Sequence, residues 1–185
     1  MENKVLIVFA SKYGATREIA EEIGECLEEV DLEVEIISVE QVTGVDRYRA
    51  VVIGSAVYLG RWRRRVKHFL TENEEILSRK PVWIFSSGPT GTGQPEVLLK
   101  GWKVPVNMKK VVKNINPVDV MVFHGKIDLI ELNMFERLAI NKMRIPSGDY
   151  RNVESIREWA NSIISYLNDN YTGISGDPDT DNKNK

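Results

Sequence analysis

Short apolar runs mark the buried strands of this chain. They occupy Lys4–Ala10, Ala50–Ala56, Val82–Ser86 and Val118–His124, and Leu32–Val39 alternates apolar with acidic residues as a more exposed strand does. Val and Ile are frequent in these runs, which begin or end near turn-forming residues such as Ser, Gly and Pro. The pattern predicts five β-strands.

Between the apolar runs, hydrophobic residues recur every three or four positions, which is the spacing of an amphipathic helix. The spacing predicts helices over residues 15–30, 62–70, 105–115, 132–143 and 153–167. Strand and helix therefore alternate, which favours an α/β fold with a doubly wound parallel sheet and helices on both faces. Such sheets bind ligands beyond the carboxyl ends of their strands, so the loops after the strands are the candidate site.

Length and composition fit one domain of ordinary size. The chain has 185 residues, of which 42% are hydrophobic and 28% charged. We expect a domain over residues 1–167 and a polar, disordered tail over residues 168–185. No apolar run approaches the roughly 20 residues that cross a bilayer, and the N-terminus does not have the pattern of a signal peptide. We therefore expect a cytoplasmic protein.

Charge is distributed unevenly along the chain. Residues 1–60 carry 5 Lys and Arg against 12 Asp and Glu, whereas residues 61–150 carry 16 against 9. Such asymmetry indicates a surface that attracts anions. The sequence disfavours nucleic acid as a partner because no recognition module is present and the isoelectric point is about 5.8.

The loop after the first strand is suited to binding a phosphate. Ser11, Tyr13 and Thr16 carry hydroxyl groups around Gly14, at the positive end of the following helix dipole. Backbone N–H groups there can hold a phosphate without a lysine clamp, although Ser11 or Thr16 could instead simply cap the helix. The loop has neither a P-loop motif nor G-x-G-x-x-G, which disfavours triphosphates and dinucleotides.

This loop resembles the phosphate loop of flavodoxins, Thr/Ser-x-Thr-Gly-x-Thr, with Tyr13 replacing the second hydroxy residue. The loops after the third and fourth strands stand where flavodoxins bind the isoalloxazine ring. The resemblance covers roughly residues 1–167 and implies a five-stranded sheet of order 2-1-3-4-5 that binds FMN. The cofactor-binding residues it implies are Ser11, Lys12, Tyr13, Gly14, Ala15, Thr16, Ser55, Ala56, Val57, Tyr58, Leu59, Gly60, Ser87, Gly88, Pro89, Thr90 and Gly91.

Two departures from the flavodoxin pattern concern the ring. Tyr58 can stack on one face of the ring. The loop after the fourth strand has no aromatic residue, so the other face is covered by Trp62, by Trp102 or by no residue. Flavodoxins are typically acidic around the flavin, whereas a basic run follows Tyr58 here. The run, Arg61, Arg63, Arg64 and Arg65, favours a redox protein partner, a small anionic or tetrapyrrole substrate, or peripheral contact with an anionic membrane.

The layout from Gly125 to Ile164 is similar to that of flavodoxin-like protoporphyrinogen dehydrogenases, which pass electrons to a quinone. Residues 127–143 lack the dense Arg, Tyr and Trp cluster of those enzymes. Three hypotheses therefore stand: an electron carrier, an FMN-dependent oxidoreductase of this type, and a nonredox binding module that has lost the flavin. The sequence identifies no catalytic residue, no metal site and no oligomeric state.

Overall fold

The computed structural model describes residues 4–58 and 60–171. Within them the strands are β1 (Lys4–Ala10), β2 (Glu33–Ser38), β3 (Ala50–Tyr58), β4 (Arg61–Trp62), β5 (Val82–Ser87), β6 (Asp119–Phe123), β7 (Lys126–Ile127) and β8 (Gly148–Asp149). The helices are α1 (Ala15–Glu28), α2 (Arg64–Glu72), α3 (Glu74–Leu77), α4 (Pro95–Leu98), α5 (Lys109–Ile115), α6 (Met134–Met143) and α7 (Val153–Tyr171), with a 3-10 turn at Val106–Met108.

Five strands form one parallel sheet in the order β2-β1-β3-β5-β6. The two-residue strand β4 only folds back antiparallel onto the end of β3. Apart from β4, the order is the predicted 2-1-3-4-5, so the predicted fold is confirmed. The switch in strand order lies between β1 and β3, which places the loops after these strands where such sheets bind ligands.

The sheet is covered on both faces because the side chains of its central strands alternate between two hydrophobic layers. Val5 and Ile7 pack in the layer formed with α1 and α7, whereas Leu6 and Val8 pack in the layer formed with α2, α3 and α5. All four are fully buried, and burying one such side chain contributes about 1.5–3 kcal/mol. This packing fixes the strand ends on which the loops are carried.

The helices differ from the predictions at several points. The predicted helix over residues 105–115 is a 3-10 turn followed by α5 from Lys109, α1 and α6 are each two residues shorter than predicted, and α3 is an additional short helix. Trp62, expected at the start of a helix, lies in β4, and α2 begins at Arg64. The last helix continues to Tyr171, beyond the predicted boundary at Leu167, and residues 172–185 of the predicted tail lie outside the described residues. None of the helices in the described part of the chain is long and apolar enough to span a membrane.

Between β6 and α7 the chain leaves the sheet and returns to it, over residues 126–150, which we call the excursion. Its base is the antiparallel pair of β7 and β8, and the Tyr150 N–H donates to the Gly125 carbonyl at 3.2 Å. The excursion carries α6, which begins at a capping box in which the Asn133 side chain accepts from the Glu136 N–H at 3.0 Å. The excursion thus leads out from the edge of the sheet that carries the predicted site.

Candidate functional site

The loops after β1, β3 and β5 meet at the carboxyl edge of the sheet. The Thr16 and Ser87 hydroxyl oxygens lie 2.7 Å apart and join the first loop to the third. Two glycines allow the backbones to pack closely: a Cβ on Gly88 would lie 2.9 Å from the Val57 carbonyl oxygen, and one on Gly125 would lie 2.9 Å from the Gly88 Cα. A larger residue at either position would force these loops apart.

The first loop, residues 11–16, leaves the amino end of α1 open. Gly14, at the N-cap position, has φ +82° and no side chain with which to cap the helix. Thr16 is buried, with 1% of its surface exposed, and its hydroxyl is bonded to Ser87. The backbone N–H groups at this end of α1 are therefore the donors that an anion would meet first.

Glu136 on α6 reaches the first loop. Its carboxylate accepts hydrogen bonds from the Lys12 ammonium and the Tyr13 hydroxyl, and its residue is only 8% exposed. These bonds lower the pKa of Glu136 to about 2, with the Lys12 bond as the largest cause. The same bond raises the pKa of Lys12, and burial raises that of Tyr13. The charges of Lys12 and Glu136 are thus fixed and paired.

The buried Ser55 side chain holds the second loop in place through two hydrogen bonds. The Ser55 hydroxyl accepts from the Arg63 N–H at 3.1 Å and donates to the Ala56 carbonyl at 3.1 Å. Gly60, with φ +72°, turns the chain back into β4. Tyr58 stands at the mouth of the site, 39% exposed, with the Lys12 ammonium 5.5 Å from its ring centroid. Leu59, also predicted in this loop, lies outside the described residues.

Neither tryptophan considered for the second face of the ring lines the site. Trp62 is 3% exposed and donates from its indole nitrogen to the Ser86 hydroxyl at 2.8 Å, which fixes β4 against β5. Trp102 is half-buried and is not among the cavity residues. The excursion instead contributes apolar residues to the cavity walls, and these include Ile127, Ile140 and Met143.

The third loop contains a buried hydroxyl without a partner. Thr90 is 8% exposed, and among the described residues its Oγ1 has no hydrogen-bond partner. His124 fixes the loop, because its two ring nitrogens lie 3.1 Å from the Pro89 carbonyl and 2.9 Å from the Gly93 carbonyl. Gly91, with φ +127°, passes close to Pro146 of the excursion. A buried hydroxyl with an unsatisfied bond is costly unless a ligand supplies the partner.

Two adjoining cavities lie between these loops and the excursion. The loop cavity, of about 100 Å³, is bordered by Ser11, Lys12, Tyr13 and Thr16. The apolar cavity, of about 380 Å³, is bordered by Tyr58, Thr90, Met143 and Pro146. The residues common to both are Val57, Tyr58, Gly88, Ile127 and Ile140. Together they have the size and the mainly apolar walls of a small-molecule site.

The basic run reaches the loop cavity through one of its members. Arg63 is half-buried and borders it, whereas Arg61, Arg64 and Arg65 are exposed. The Arg65 Nε lies 3.6 Å from the Glu40 Oε1, which makes the two residues an ion pair. Arg63 therefore places positive charge at the border of the loop cavity.

Sequence reasoning missed the contribution of the excursion to the site. The Asn-x-x-Glu pattern at residues 133–136 signals a helix start, but no local pattern indicates that Glu136 reaches a loop more than a hundred residues away. The apolar residues of α6 have helical spacing, which predicts the helix and not the surface against which it packs.

The fold and the three converging loops define a flavodoxin-type domain. A sequence model of the flavodoxin-domain family Flavodoxin_5 matches residues 6–153, and the chain therefore belongs to this family. None of the curated proteins matches it in sequence.

Solved flavodoxins share the fold at low sequence identity. A flavodoxin from the domain Archaea has a TM-score of 0.59 and 14% identity, covering 89% of this chain and 98% of its own. Oxidised flavodoxin 1 from Bacillus cereus has a TM-score of 0.58 and 15% identity, over 89% and 99%. A flavo-di-iron protein variant from Thermotoga maritima has a TM-score of 0.59 and 15% identity, over 90% of this chain and 36% of that one. At these identities the likeness concerns the fold alone.

Flavodoxins bind FMN, and the described residues fit that cofactor. The open amino end of α1 suits a phosphate, the apolar cavity suits a flat aromatic ring, and the buried Thr90 hydroxyl offers a hydrogen bond to a polar edge. The side chains of Lys12 and Tyr13 are engaged by Glu136. The fit at the first loop therefore depends on main-chain donors.

Proposed function

We propose that this protein binds one FMN noncovalently and transfers electrons to or from a partner. The observation that supports this best is the junction of the loop cavity with the apolar cavity. Both cavities have mainly apolar walls; the loop cavity adds the amino end of α1, and the apolar cavity adds the Thr90 hydroxyl, which has no partner among the described residues. A ligand that is anionic at one end and flat and apolar at the other matches both ends.

The chain's own residues would bind and shield this cofactor. Ser11 and the amides of residues 12–16 would hold the phosphate, while Tyr58 and Val57 would contact the ring from the β3 loop. Ile140 and Met143 of α6 would keep water from the opposite face. When bound, FMN supplies one-electron and two-electron redox chemistry, and the protein sets access and potential.

The basic run favours an acidic redox partner. Arg63 borders the loop cavity, and Arg61 and Arg64, close to it in the chain, are exposed. Opposite charge on a partner would steer it toward this part of the surface. The partner's docking face would then carry carboxylates. Electrostatic steering of this kind weakens as salt increases.

A second candidate is oxidation of a protoporphyrinogen-type substrate with a quinone acceptor. The feature that favours it is the outer side of α6, where Met134, Phe135 and Leu138 are 75%, 78% and 66% exposed. Lys142 and Arg144 are exposed on the same segment. Exposed apolar groups beside cations suit a flat apolar substrate that bears carboxylates, as well as an acceptor dissolved in a membrane.

The test begins with the absorbance spectrum of the purified protein. A flavin spectrum, with FMN released on denaturation, is the expected result. Anaerobic reduction in separate one-electron steps would then favour the carrier, whereas bleaching of the flavin by protoporphyrinogen would favour the enzyme. Colourless protein that does not bind added FMN would contradict the proposal and favour a nonredox binding module.

A further inference from the structure

Both oxygens of the Glu136 carboxylate are occupied, and most of their donors come from the first loop. Oε1 accepts from Lys12, and Oε2 accepts from Tyr13 and from the Asn133 N–H at 3.2 Å. Lys12 and Tyr13 lie between Ser11 and Gly14, within the loop at which the cofactor phosphate is expected. An anion contributed by the protein is therefore already bound to the side chains of that loop.

A phosphate at this loop would meet its main-chain amides first, and the Lys12 and Tyr13 side chains that this carboxylate binds are further donors within the same loop. Tyr13 has a single hydroxyl proton to donate. Lys12 is the one cation within residues 11–16. Two anions close together in a site of low polarity repel each other, and the 8% exposure of Glu136 leaves little water to screen them. Binding of a phosphate must therefore weaken the Glu136 contacts or be weakened by them.

We propose that Glu136 lowers the preference for FMN over riboflavin by competing with the phosphate group of the flavin for Lys12 and Tyr13. The inference rests on the proposed function. Its consequence is that α6, which carries Glu136 and Ile140, is held against the first loop by an internal anion when no phosphate is bound. Binding of FMN releases that hold, whereas riboflavin, which lacks the phosphate, does not compete for it.

The experiment compares FMN with riboflavin in titrations of the apoprotein, followed by quenching of flavin fluorescence. We expect Glu136→Gln to tighten FMN binding by about fivefold or more, the lower end of typical coupling between two binding events, and to leave riboflavin affinity nearly unchanged. Glu131→Gln is the matched control, because Glu131 is exposed on the same segment and its substitution removes the same charge. It should change neither affinity.

Two further variants test the role of Lys12. In Lys12→Gln/Glu136→Gln the gain in FMN affinity should disappear, because the cation that the phosphate would recover is missing. Glu136→Asp keeps the charge but shortens its reach, so it should tighten FMN binding by less than Glu136→Gln. This variant also decides the question if Glu136→Gln does not fold.

The outcomes separate this inference from the proposed function. Wild-type protein that binds FMN, together with an E136Q variant that binds it equally or more weakly, would overturn the competition and leave the proposed function standing. An equal gain for riboflavin would also overturn it, because the effect would then not concern the phosphate. Failure of the wild type and the variants to bind either flavin would overturn both.

Discussion

The buried hydroxyl pair of Thr16 and Ser87 allows a quantitative test of how the site is held together. The two oxygens lie 2.7 Å apart, and their residues are 1% and 2% exposed. Thr16→Val keeps the shape of the side chain but removes its hydroxyl, which leaves the Ser87 hydroxyl buried without this partner. An unsatisfied buried polar group costs about 1–3 kcal/mol.

We therefore expect Thr16→Val to lower the free energy of unfolding by about 1–3 kcal/mol. The double variant Thr16→Val/Ser87→Ala should recover part of this loss, because it leaves neither hydroxyl without a partner. Urea denaturation of the two single variants and the double variant gives the coupling energy of the pair. Thr71→Val on the exposed side of α2 is the matched control and should change stability by less than about 0.5 kcal/mol.

Two results would refute this reasoning. One is a Thr16→Val protein as stable as the wild type, and the other is a double variant whose loss equals the sum of the single losses. The same proteins also test Thr16 as a phosphate-binding residue. If its hydroxyl also contacts the phosphate, Thr16→Val should weaken FMN binding beyond the effect of Ser87→Ala; equal effects would limit Thr16 to joining the loops.

Three further predictions concern the packing, the charge and the acid sensitivity of the site. Gly88→Ala places a methyl group 2.9 Å from the Val57 carbonyl oxygen. It should therefore destabilise the protein by about 1–3 kcal/mol and weaken FMN binding in a titration. Gly44→Ala, whose new methyl group would have its nearest atom 3.9 Å away, should have neither effect. In stopped-flow measurements, Arg64→Glu should slow electron transfer to an acidic partner several-fold at low salt. It should have little effect near 1 M salt, where the screening length is about 3 Å. Lys110→Glu, on another helix, is the control and should leave the rate unchanged. The pKa of Glu136 is lowered from 4.5 to about 2, so its contacts stabilise the fold above pH 4.5 and are lost as the pH falls toward 2. The midpoint of urea unfolding should therefore change more between pH 7 and pH 3 for the wild type than for Glu136→Gln.

The sheet could be predicted from sequence because its strands are buried on both faces. A run such as Ala50–Ile53, in which every residue is fully buried, has to be apolar at each position, and that pattern is local. The order of strands is not local. It followed from the resemblance of residues 11–16 to a known loop, and the structure confirms it.

The wall of the site could not be predicted because it depends on contacts between distant segments. Trp62 and Trp102 were considered for this wall because aromatic rings cover flavins well, yet Trp62 is buried against β5 by a hydrogen bond that hydropathy does not reveal. The wall is formed by residues that include Ile127, Ile140 and Met143. In the sequence these are ordinary apolar positions. Their role depends on how the excursion folds back.

The charges around the first loop are paired with one another, and this determines what an incoming anion would encounter. Lys12 forms an ion pair with Glu136. Glu18, in the first turn of α1, forms another, in which its Oε2 lies 2.5 Å from the Arg151 Nη1. Because the two charges of each pair oppose each other, the open backbone amides of α1 contribute to the field at the loop together with Arg63, which borders the loop cavity. A phosphate at this loop would therefore meet the main-chain amides first, and the charge of Lys12, which the Glu136 carboxylate already binds, would become available to it only when that carboxylate withdraws.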